Sequence, residues 1–401
     1  MDKSKIQQIK EVLERGVENI YPNKEALEKA LLSGKKLRIY NGIDPTGKLQ
    51  IGHGVVLLKL RQLQNLGHEI IVLIGDFTAQ IGDPSGKSNA RKQLTHKQVM
   101  QNANSYKKQI GKILDLTKSN VRFLHNQKWT NKLKPVSMME LAANFTVARL
   151  LERDMFQERI RAGRDIHINE FLYPIFQAYD AVTMDVDMQI GGSDQTFNML
   201  AGRTLMRKLK NKEKFVLTLK LLEDPGGKKM GKTEGNAVYL DAAPAEMYGN
   251  IMSWTDGMIV PAFEIATNVP WDEVLQIKKD LANGKNPKIL KMLLAYKLVE
   301  IYHGKPAAIA AEENFKQVFE EKLNPDEIPV FKIKQKNIVE VLVATKLAAS
   351  KSEARRLIKQ GGVKVDGKEI KDENFIIGKI DKDGVVIQKG KRHFAKLVSS
   401  K

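Results

Sequence analysis

Arg38-Ile-Tyr-Asn-Gly-Ile-Asp-Pro-Thr-Gly-Lys-Leu-Gln-Ile-Gly-His-Gly54 is the stretch whose reading decides the fold. It reads as strand, turn and helix. Arg38 to Ile43 is a short β-type run, and Asp44-Pro45 stops it, because a residue before proline is pushed out of the α region. From His53 the apolar spacing turns helical: Val56, Leu60 and Leu63 recur at i, i+4 and i+7, and Gly67 stands where helices commonly end on glycine. Ile70 to Ile74 is then unbroken aliphatic, the pattern of a parallel strand covered on both faces. The spacing predicts one βαβ unit. Its junction suits a phosphate, since a helix N-terminus offers unpaired N–H groups and a positive dipole end. Gly52 and Gly54 would admit a nucleotide to the backbone, and His53 could donate where charge develops on phosphorus. By itself the same tetrapeptide is equally a helix start with a capping histidine.

The whole chain sets bounds on function. At 401 residues, 42% hydrophobic and 28% charged, it matches an ordinary globular protein of two or three domains. No apolar run approaches the ~20 residues that span a bilayer, and the charged N-terminus does not read as a signal peptide. The absence of cysteine excludes disulfides and thiolate chemistry and fits a cytoplasmic setting. Net charge is +19, and residues 332–401 hold 18 Lys+Arg against 8 Asp+Glu, so that tail carries +10 of it. Such unevenness favours a polyanionic partner, nucleic acid rather than membrane, over a merely lysine-rich composition.

Along the chain, helices are expected at Ile6–Val12 and Lys24–Leu32, packed on the sheet. Gly75 to Ser88 is glycine-rich and leaves the C-terminal end of a strand, where open α/β sheets bind ligands; Lys87 and Arg91 there could face phosphate or simply solvent. Ser137-Met-Met-Glu140 reads as a capping box opening a helix to about Arg153. A second helix opens near Asn169-Glu170, and on it Tyr173, Gln177 and Asp180 share one face. Three aligned polar groups in an apolar helix suggest ligand contact, with a buried hydrogen-bond network as the other reading. Met188 to Gln195 repeats the strand, double-glycine and helix pattern, with Ser193 or Asp194 expected at the cap and a carboxylate placed for ribose hydroxyls. Asp224 to Gly235 is a glycine-flanked lysine loop suited to polyphosphate. Helices dominate from about 240, and Leu323 to Pro329 reads as a linker. The tail then gives a helix at Asn337–Thr345, a second capped by Ser350 and Glu353 with Arg355, Arg356 and Lys359 outward, and a hairpin about Asp366-Gly367. One basic face on a small module reads as RNA binding.

These motifs in this order resemble the class I aminoacyl-tRNA synthetases, and within them the bacterial tyrosyl-tRNA synthetase family, over essentially the whole chain. The residues that carry the resemblance are Tyr40-x-Gly-x-Asp44-Pro-Thr46, Gln50-Ile-Gly-His53, Gly82-Asp83-Pro-Ser-Gly-Lys87, Tyr173-x3-Gln177-Ala-Tyr-Asp180, Gly191-Gly-Ser-Asp-Gln195 and Lys229-Met-Gly-Lys-Thr233. The tail resembles the S4 RNA-binding domain. The fold implied is α/β. A Rossmann-like parallel-sheet catalytic domain over 1–237 would carry a dimer-interface insertion at about 110–170. A helical anticodon-binding domain over 238–325, a linker over 326–335 and an S4-like domain over 336–401 would follow.

The resemblance also implies a chemistry: tyrosine and ATP, accompanied by Mg2+, would give tyrosyl-adenylate and pyrophosphate, and the tyrosyl group would pass to the 3′ end of its tRNA. By the family's pattern His53 donates toward the α-phosphate, Thr46 and Gln50 toward pyrophosphate, and Lys87, Arg91, Lys229 and Lys232 close over the triphosphate, with Met230 beside the nucleotide. Asp194 would hold the ribose between Gly52 and Gly192, with Asp44 and Gln195 near the mixed anhydride. Tyr40 and Asp180 would bind the phenolic hydroxyl, Asp83, Tyr173 and Gln177 the α-amino group, and Asn126 would support them. No metal site is expected in the protein itself. A cytoplasmic homodimer binding tRNA across its subunits is implied. One departure stands out, since the family's first motif usually opens with histidine where this chain has Gln50; an amide can still donate to a phosphate oxygen. Two rivals remain on sequence grounds: a tryptophanyl-tRNA synthetase, and an RNA-binding factor on an inactive synthetase scaffold.

Overall fold

The computed structural model describes residues 3–85, 94–224, 226, 237–319, 328–332, 336–378, 380, 384–390 and 393–398. Lys87, Arg91, Lys229, Met230 and Lys232, with residues 326–327 and 333–335 of the expected linker, lie outside them. The chain divides into two compact units, Met1–Ala308 and Ile309–Lys401.

The first unit opens with α1 (Lys3–Glu14), β1 (Val17–Tyr21) and α2 (Lys24–Leu32), then β2 (Arg38–Ile43), α3 (Ile51–Asn65) and β3 (Glu69–Ile74). The expected βαβ unit is present: β2 and β3 pair in parallel, Ile39 beside Ile70 and Ile43 beside Ile74. α3 begins two residues before His53, and Gly67 follows it at φ +90°. β1 was not anticipated. Its central Glu18 and Asn19 are exposed, so no apolar alternation marks it; antiparallel pairing with a late strand makes it a strand.

The chain continues through α4 (Thr78–Ile81), α5 (His96–Ala103), α6 (Tyr106–Ile110), β4 (Val121–His125) and α7 (Gln127–Thr130). Three short helices follow, α8 (Pro135–Ala142), α9 (Val147–Leu151) and α10 (Asp154–Arg161), before the longer α11 (Ile168–Met184). The expected single helix from Ser137 to Arg153 is thus corrected. Pro135 occupies the first turn and puts Ser137 inside α8, and Thr146 caps a new helix by accepting from the Arg149 N–H.

β5 (Met188–Gly192), α12 (Thr196–Lys210) and β6 (Phe215–Leu219) complete the sheet, whose order is β1-β6-β5-β2-β3-β4. A 3-10 turn, Ser193–Gln195, separates β5 from α12, so neither Ser193 nor Asp194 caps that helix. Apart from β1, all neighbours are parallel. β2 has β3 on one side and β5 on the other, so strand order reverses there, and the carboxyl ends of β2 and β5 are the place where open sheets of this kind bind ligands.

Helices α13 (Pro244–Met252), α14 (Ile259–Ala266), α15 (Trp271–Ala282), α16 (Pro287–His303) and α17 (Lys305–Phe319) follow. The first four belong to the same compact unit as the sheet. Arg15 helps explain why. It is buried after α1 and donates to the carbonyls of Phe263, Glu264, Thr267 and Val269 around the end of α14, satisfying acceptors a helix end leaves open. A Cβ on Gly54, in the first turn of α3, would lie 2.1 Å from the buried Tyr302 hydroxyl of α16.

The second unit holds β7 (Val330–Lys332), α18 (Ile338–Ala344), α19 (Lys351–Lys359), β8 (Val363–Val365), β9 (Lys368–Glu369), β10 (Val385–Lys389) and β11 (His393–Val398), the strands ordered β7-β11-β10-β8-β9. Ser350 caps α19 as expected, Asn337, expected as the first residue of its helix, caps α18, and β8 and β9 form the hairpin with Asp366 and Gly367 both at positive φ. Ile338, Leu342, Ile358, Ile387 and Leu397 form its core.

Arg159 of α10 and Glu170 of α11 make a two-pronged ion pair, 2.6 and 2.9 Å, with both residues buried; Glu170 also accepts the His167 N–H that starts α11. Removing one partner strands a charge. Glu170→Ala is expected to destabilise by about 3 kcal/mol in urea unfolding, and the Arg159→Met/Glu170→Leu pair to regain most of that loss.

Candidate active site

Asp180 lies in the interior of α11 at 2% exposure. Its Oδ1 accepts from the Trp129 indole at 2.7 Å and its Oδ2 from the Asn126 amide at 3.2 Å. Burial pushes its pKa up to about 8; those two hydrogen bonds oppose the rise, and Asp44 and Asp76 add to it. Tyr40 is wholly buried on β2, and among the described residues none meets its hydroxyl in full hydrogen-bond geometry. Burial and then the Asp180 carboxylate raise its pKa well above the ordinary phenol. The expected Tyr40/Asp180 pair is therefore brought together.

The network runs on from Asn126, whose amide also donates to Thr78 Oγ1 at 3.1 Å. Thr78 donates to Asp44 Oδ1 at 2.7 Å, and Asp44 Oδ2 accepts from the Tyr173 hydroxyl at 2.8 Å. Gly75 makes this possible, because a Cβ there would meet Asp44 Oδ1 at 2.1 Å and Thr78 Oγ1 at 2.5 Å. Asp44 was expected beside the reacting anhydride and Tyr173 at the amino group, and here they touch. The connecting Thr78 was missed, although it sits in the Gly75-Asp-Phe-Thr segment singled out by its glycines.

A second cluster centres on Asp83. Its Oδ2 accepts from Gln195 at 2.7 Å, and its Oδ1 accepts from the Ser85 N–H at 3.0 Å and from Asn198 at 3.4 Å. Arg153 closes the group through Ser85 Oγ at 2.7 Å, with its guanidinium 4.8 Å from the Phe197 ring centroid. Sequence reasoning assigned Asp83 and Gln195 to different substrate parts; the fold hydrogen-bonds them. Arg153 and Asn198 carried no motif signal. Gln177 is half-buried on the face of α11 that carries Tyr173 and Asp180.

At the start of α3, the Gln50 N–H donates to His53 Nδ1 at 3.1 Å. An Nδ1 that accepts leaves the ring proton on Nε2, so neutral His53 is a donor through Nε2. Gly52 is exposed beside it with open space where a Cβ would go, and Thr46 is exposed on the preceding turn. The segment after the lysine loop is laced to this helix start: Ile51 N–H donates to Val238 at 2.9 Å, Leu240 N–H to Leu49 at 3.0 Å, and Gln50 and Tyr239 form an antiparallel bridge. Asp194 follows the β5 end, where Gly192 leaves room for its carboxylate. In the second unit, Arg355, Arg356 and Lys359 are exposed on α19. Among the described residues no helix is long and apolar enough to cross a membrane.

The chain matches two family models, "tRNA synthetases class I (W and Y)" over residues 32–320 and "Tyrosine--tRNA ligase SYY-like C-terminal domain" over 319–397. It is 43% identical to the tyrosine–tRNA ligase of Moorella thermoacetica, covering 96% of this chain and 94% of that one. Against the tyrosine–tRNA ligase of Carboxydothermus hydrogenoformans identity is 42%, covering 98% of each chain. Among solved structures, a C-terminally truncated mitochondrial tyrosyl-tRNA synthetase of Aspergillus nidulans aligns with TM-score 0.65 at 23% identity, covering 78% of this chain and 94% of that one. The tyrosyl-tRNA synthetase of Archaeoglobus fulgidus complexed with L-tyrosine gives 0.61 at 22%, covering 77% and 99%; these two likenesses bear on the fold alone. The strand-order reversal at β2, a helix-start histidine poised to donate and relatives matched from end to end agree that the chain belongs to the tyrosine–tRNA ligases, a class I aminoacyl-tRNA synthetase family.

Proposed function

We propose that this chain activates L-tyrosine with ATP and passes the tyrosyl group to the 3′-terminal ribose of its tRNA, with the assignments that follow. The buried Asp180, held by Trp129 and Asn126 and facing Tyr40, is the observation that carries the reading. Asp180 accepts a hydrogen bond from the substrate's phenolic hydroxyl while Tyr40 donates to the phenolic oxygen. Phenylalanine in that slot would leave both buried groups unpaired, which costs more than a missing contact on an apolar wall. Asp83, Tyr173 and Gln177 take the α-amino group, where a carboxylate offsets the ammonium.

In the first step a tyrosine carboxylate oxygen attacks the α-phosphorus of ATP. The bond to pyrophosphate breaks, and a mixed anhydride forms. Such a reaction asks the protein for position and for charge stabilisation rather than covalent help. His53 donates through Nε2 toward the α-phosphate, and Thr46 and Gln50 reach the pyrophosphate end. Asp194 holds the ribose between Gly52 and Gly192, and Asp44 and Gln195 flank the anhydride. Lys87, Arg91, Lys229 and Lys232 take the phosphates with Met230 beside them; the lacing of 238–240 to the start of α3 supports a lysine loop that ends at the nucleotide. Mg2+ enters with ATP as part of the substrate. In the second step the terminal ribose hydroxyl attacks the tyrosyl carbonyl and AMP leaves.

The tRNA is met by the helical region 238–325 and by the module 336–401, where Arg355, Arg356 and Lys359 face the phosphates. Val136, Met139, Val147, Ile160 and Ile168 are large apolar side chains exposed on α8 to α11, inside the segment expected to pair subunits, and they support a homodimer; family membership supports a cytoplasmic setting.

ATP–pyrophosphate exchange run with each of the twenty amino acids is expected to proceed with tyrosine alone; exchange with tryptophan, or none at all, would overturn the reading. Asp180 also links selectivity to stability. Its carboxyl is raised from ~3.9 in the unfolded chain to about 8, so between those values the folded state holds a proton the unfolded state has released, and stability falls as pH climbs. Asp180→Asn should remove that slope: the wild-type drop in Tm from pH 5 to pH 8 shrinks, while tyrosine discrimination weakens in the exchange assay. Met139→Asp should shift the protein from dimer to monomer on size-exclusion chromatography with light scattering, whereas an unchanged mass would exclude that face from the interface.

A further inference from the structure

Lys214, the residue before β6, is wholly buried, yet the network above does not reach it. Burial alone pushes its pKa well below that of an ordinary lysine, and no carboxylate opposes the shift. The amine donates to Gln189 Oε1 and, at 3.0 Å, to the Met199 carbonyl, and it lies 5.6 Å from the Tyr40 ring centroid. Gln189 is 3% exposed on β5, directly across the parallel register from Tyr40. Gly202 of α12 leaves the space: a Cβ there would sit 2.5 Å from the Lys214 amine and 3.6 Å from Gln189 Oε1. Such a placement is costly unless the group does something for its neighbours.

A glutamine amide can turn either end toward a neighbour, and the two ends have opposite hydrogen-bond sense. Among the described residues no group meets Tyr40 Oη in full hydrogen-bond geometry, but two polar groups act on it: the Asp180 carboxylate, which raises its pKa, and the Gln189 side chain, which lowers it as a hydrogen-bond donor does. An amine bound to Oε1 settles the sense, because the Nε2 end is then the one left for Tyr40. We propose that Lys214 is a positioning residue for substrate selection: by holding Gln189 Oε1 it aims the amide N–H at Tyr40 Oη, so that Tyr40 turns its own proton toward the tyrosine phenol. The hydrogen bonds then run in one direction, from Lys214 through Gln189, Tyr40 and the substrate hydroxyl to Asp180, each polarising the next. A tyrosine hydroxyl completes this chain, and phenylalanine interrupts it.

The inference rests on the reading of Tyr40 and Asp180 as the phenol site. Its test is pyrophosphate exchange on the full-length enzyme, with KM and kcat measured separately for tyrosine, phenylalanine and ATP. Lys214→Met is expected to raise KM for tyrosine about 10-fold, leave KM for ATP unchanged, and lower the tyrosine-to-phenylalanine ratio of kcat/KM by at least the same factor. Gly202→Ala keeps the lysine but displaces its amine, so it should move the same ratio in the same direction; it decides the matter should Lys214→Met not fold. Adding Gln189→Leu to Lys214→Met should lower the ratio no further than Lys214→Met alone, since both act through one chain. A lysine that only fills space would lower Tm or scale all three substrates alike, and that outcome overturns the proposal. Tyr40→Phe and Asp180→Asn separate the two readings. If they alter discrimination while both Lys214→Met and Gly202→Ala do not, the proposal fails alone; if they leave it untouched, the phenol site itself is misassigned.

Discussion

Burying the Asp180 carboxyl inside α11 is costly, and much of the site is arranged around that cost. Asp180 has two neutral donors, Trp129 and Asn126, and among the described residues no cation in hydrogen-bond contact. A lysine or arginine partner would stabilise the charge more strongly, but it would also satisfy the group that a substrate hydroxyl must meet. Neutral donors hold the carboxyl in place and leave it an acceptor of adjustable strength. That is the electrostatic condition for reading a hydroxyl by the penalty of its absence.

From this point the fold spreads order outward through side chains that are each fixed by another. Asn126 ties Asp180 to Thr78, Thr78 ties that pair to Asp44, and Asp44 receives Tyr173 from the same helix that carries Asp180. The circuit joins the ends of β2, β3 and β4 to α11, elements separated by up to 130 residues in sequence. The cluster of Asp83, Gln195, Ser85 and Asn198 does the same for the segment after α4 and the start of α12. Groups held in this way need little reorganisation when charge develops during adenylate formation.

How much of this was legible in the sequence depended on whether local pattern or distant pairing set each feature. The β2–α3–β3 unit could be read because its aliphatic runs and helical spacing are local signals, and the tail hairpin because Asp366-Gly367 specifies its own turn. β1 could not: its pairing partner lies some 200 residues away and its exposed centre is polar. The helix expected to run from Ser137 to Arg153 broke into short pieces because Pro135 and Thr146 set boundaries that outweighed the Ser137–Glu140 pattern. Tyr40, Asp44, Asp83, Asn126, Tyr173, Asp180 and Gln195 were recognisable from motif residues, but their mutual hydrogen bonds were not. Arg153, Asn198 and Lys214 had no motif at all, since a buried cation or amide is written in sequence like any exposed one. Only the neighbours supplied by other elements give it meaning.

The contact between Gly54 and Tyr302 constrains how this chain can change over generations. With 2.1 Å between the Tyr302 oxygen and the place a methyl group would occupy, and 3.2 Å to the ring carbon that bears it, alanine at 54 is barred while the hydroxyl remains. Loss of the oxygen first, by Tyr302→Phe, relieves the worse of the two clashes. Drift at this pair therefore has a preferred order, helical region first and nucleotide helix second, and the reverse route passes through an ancestor that packs badly.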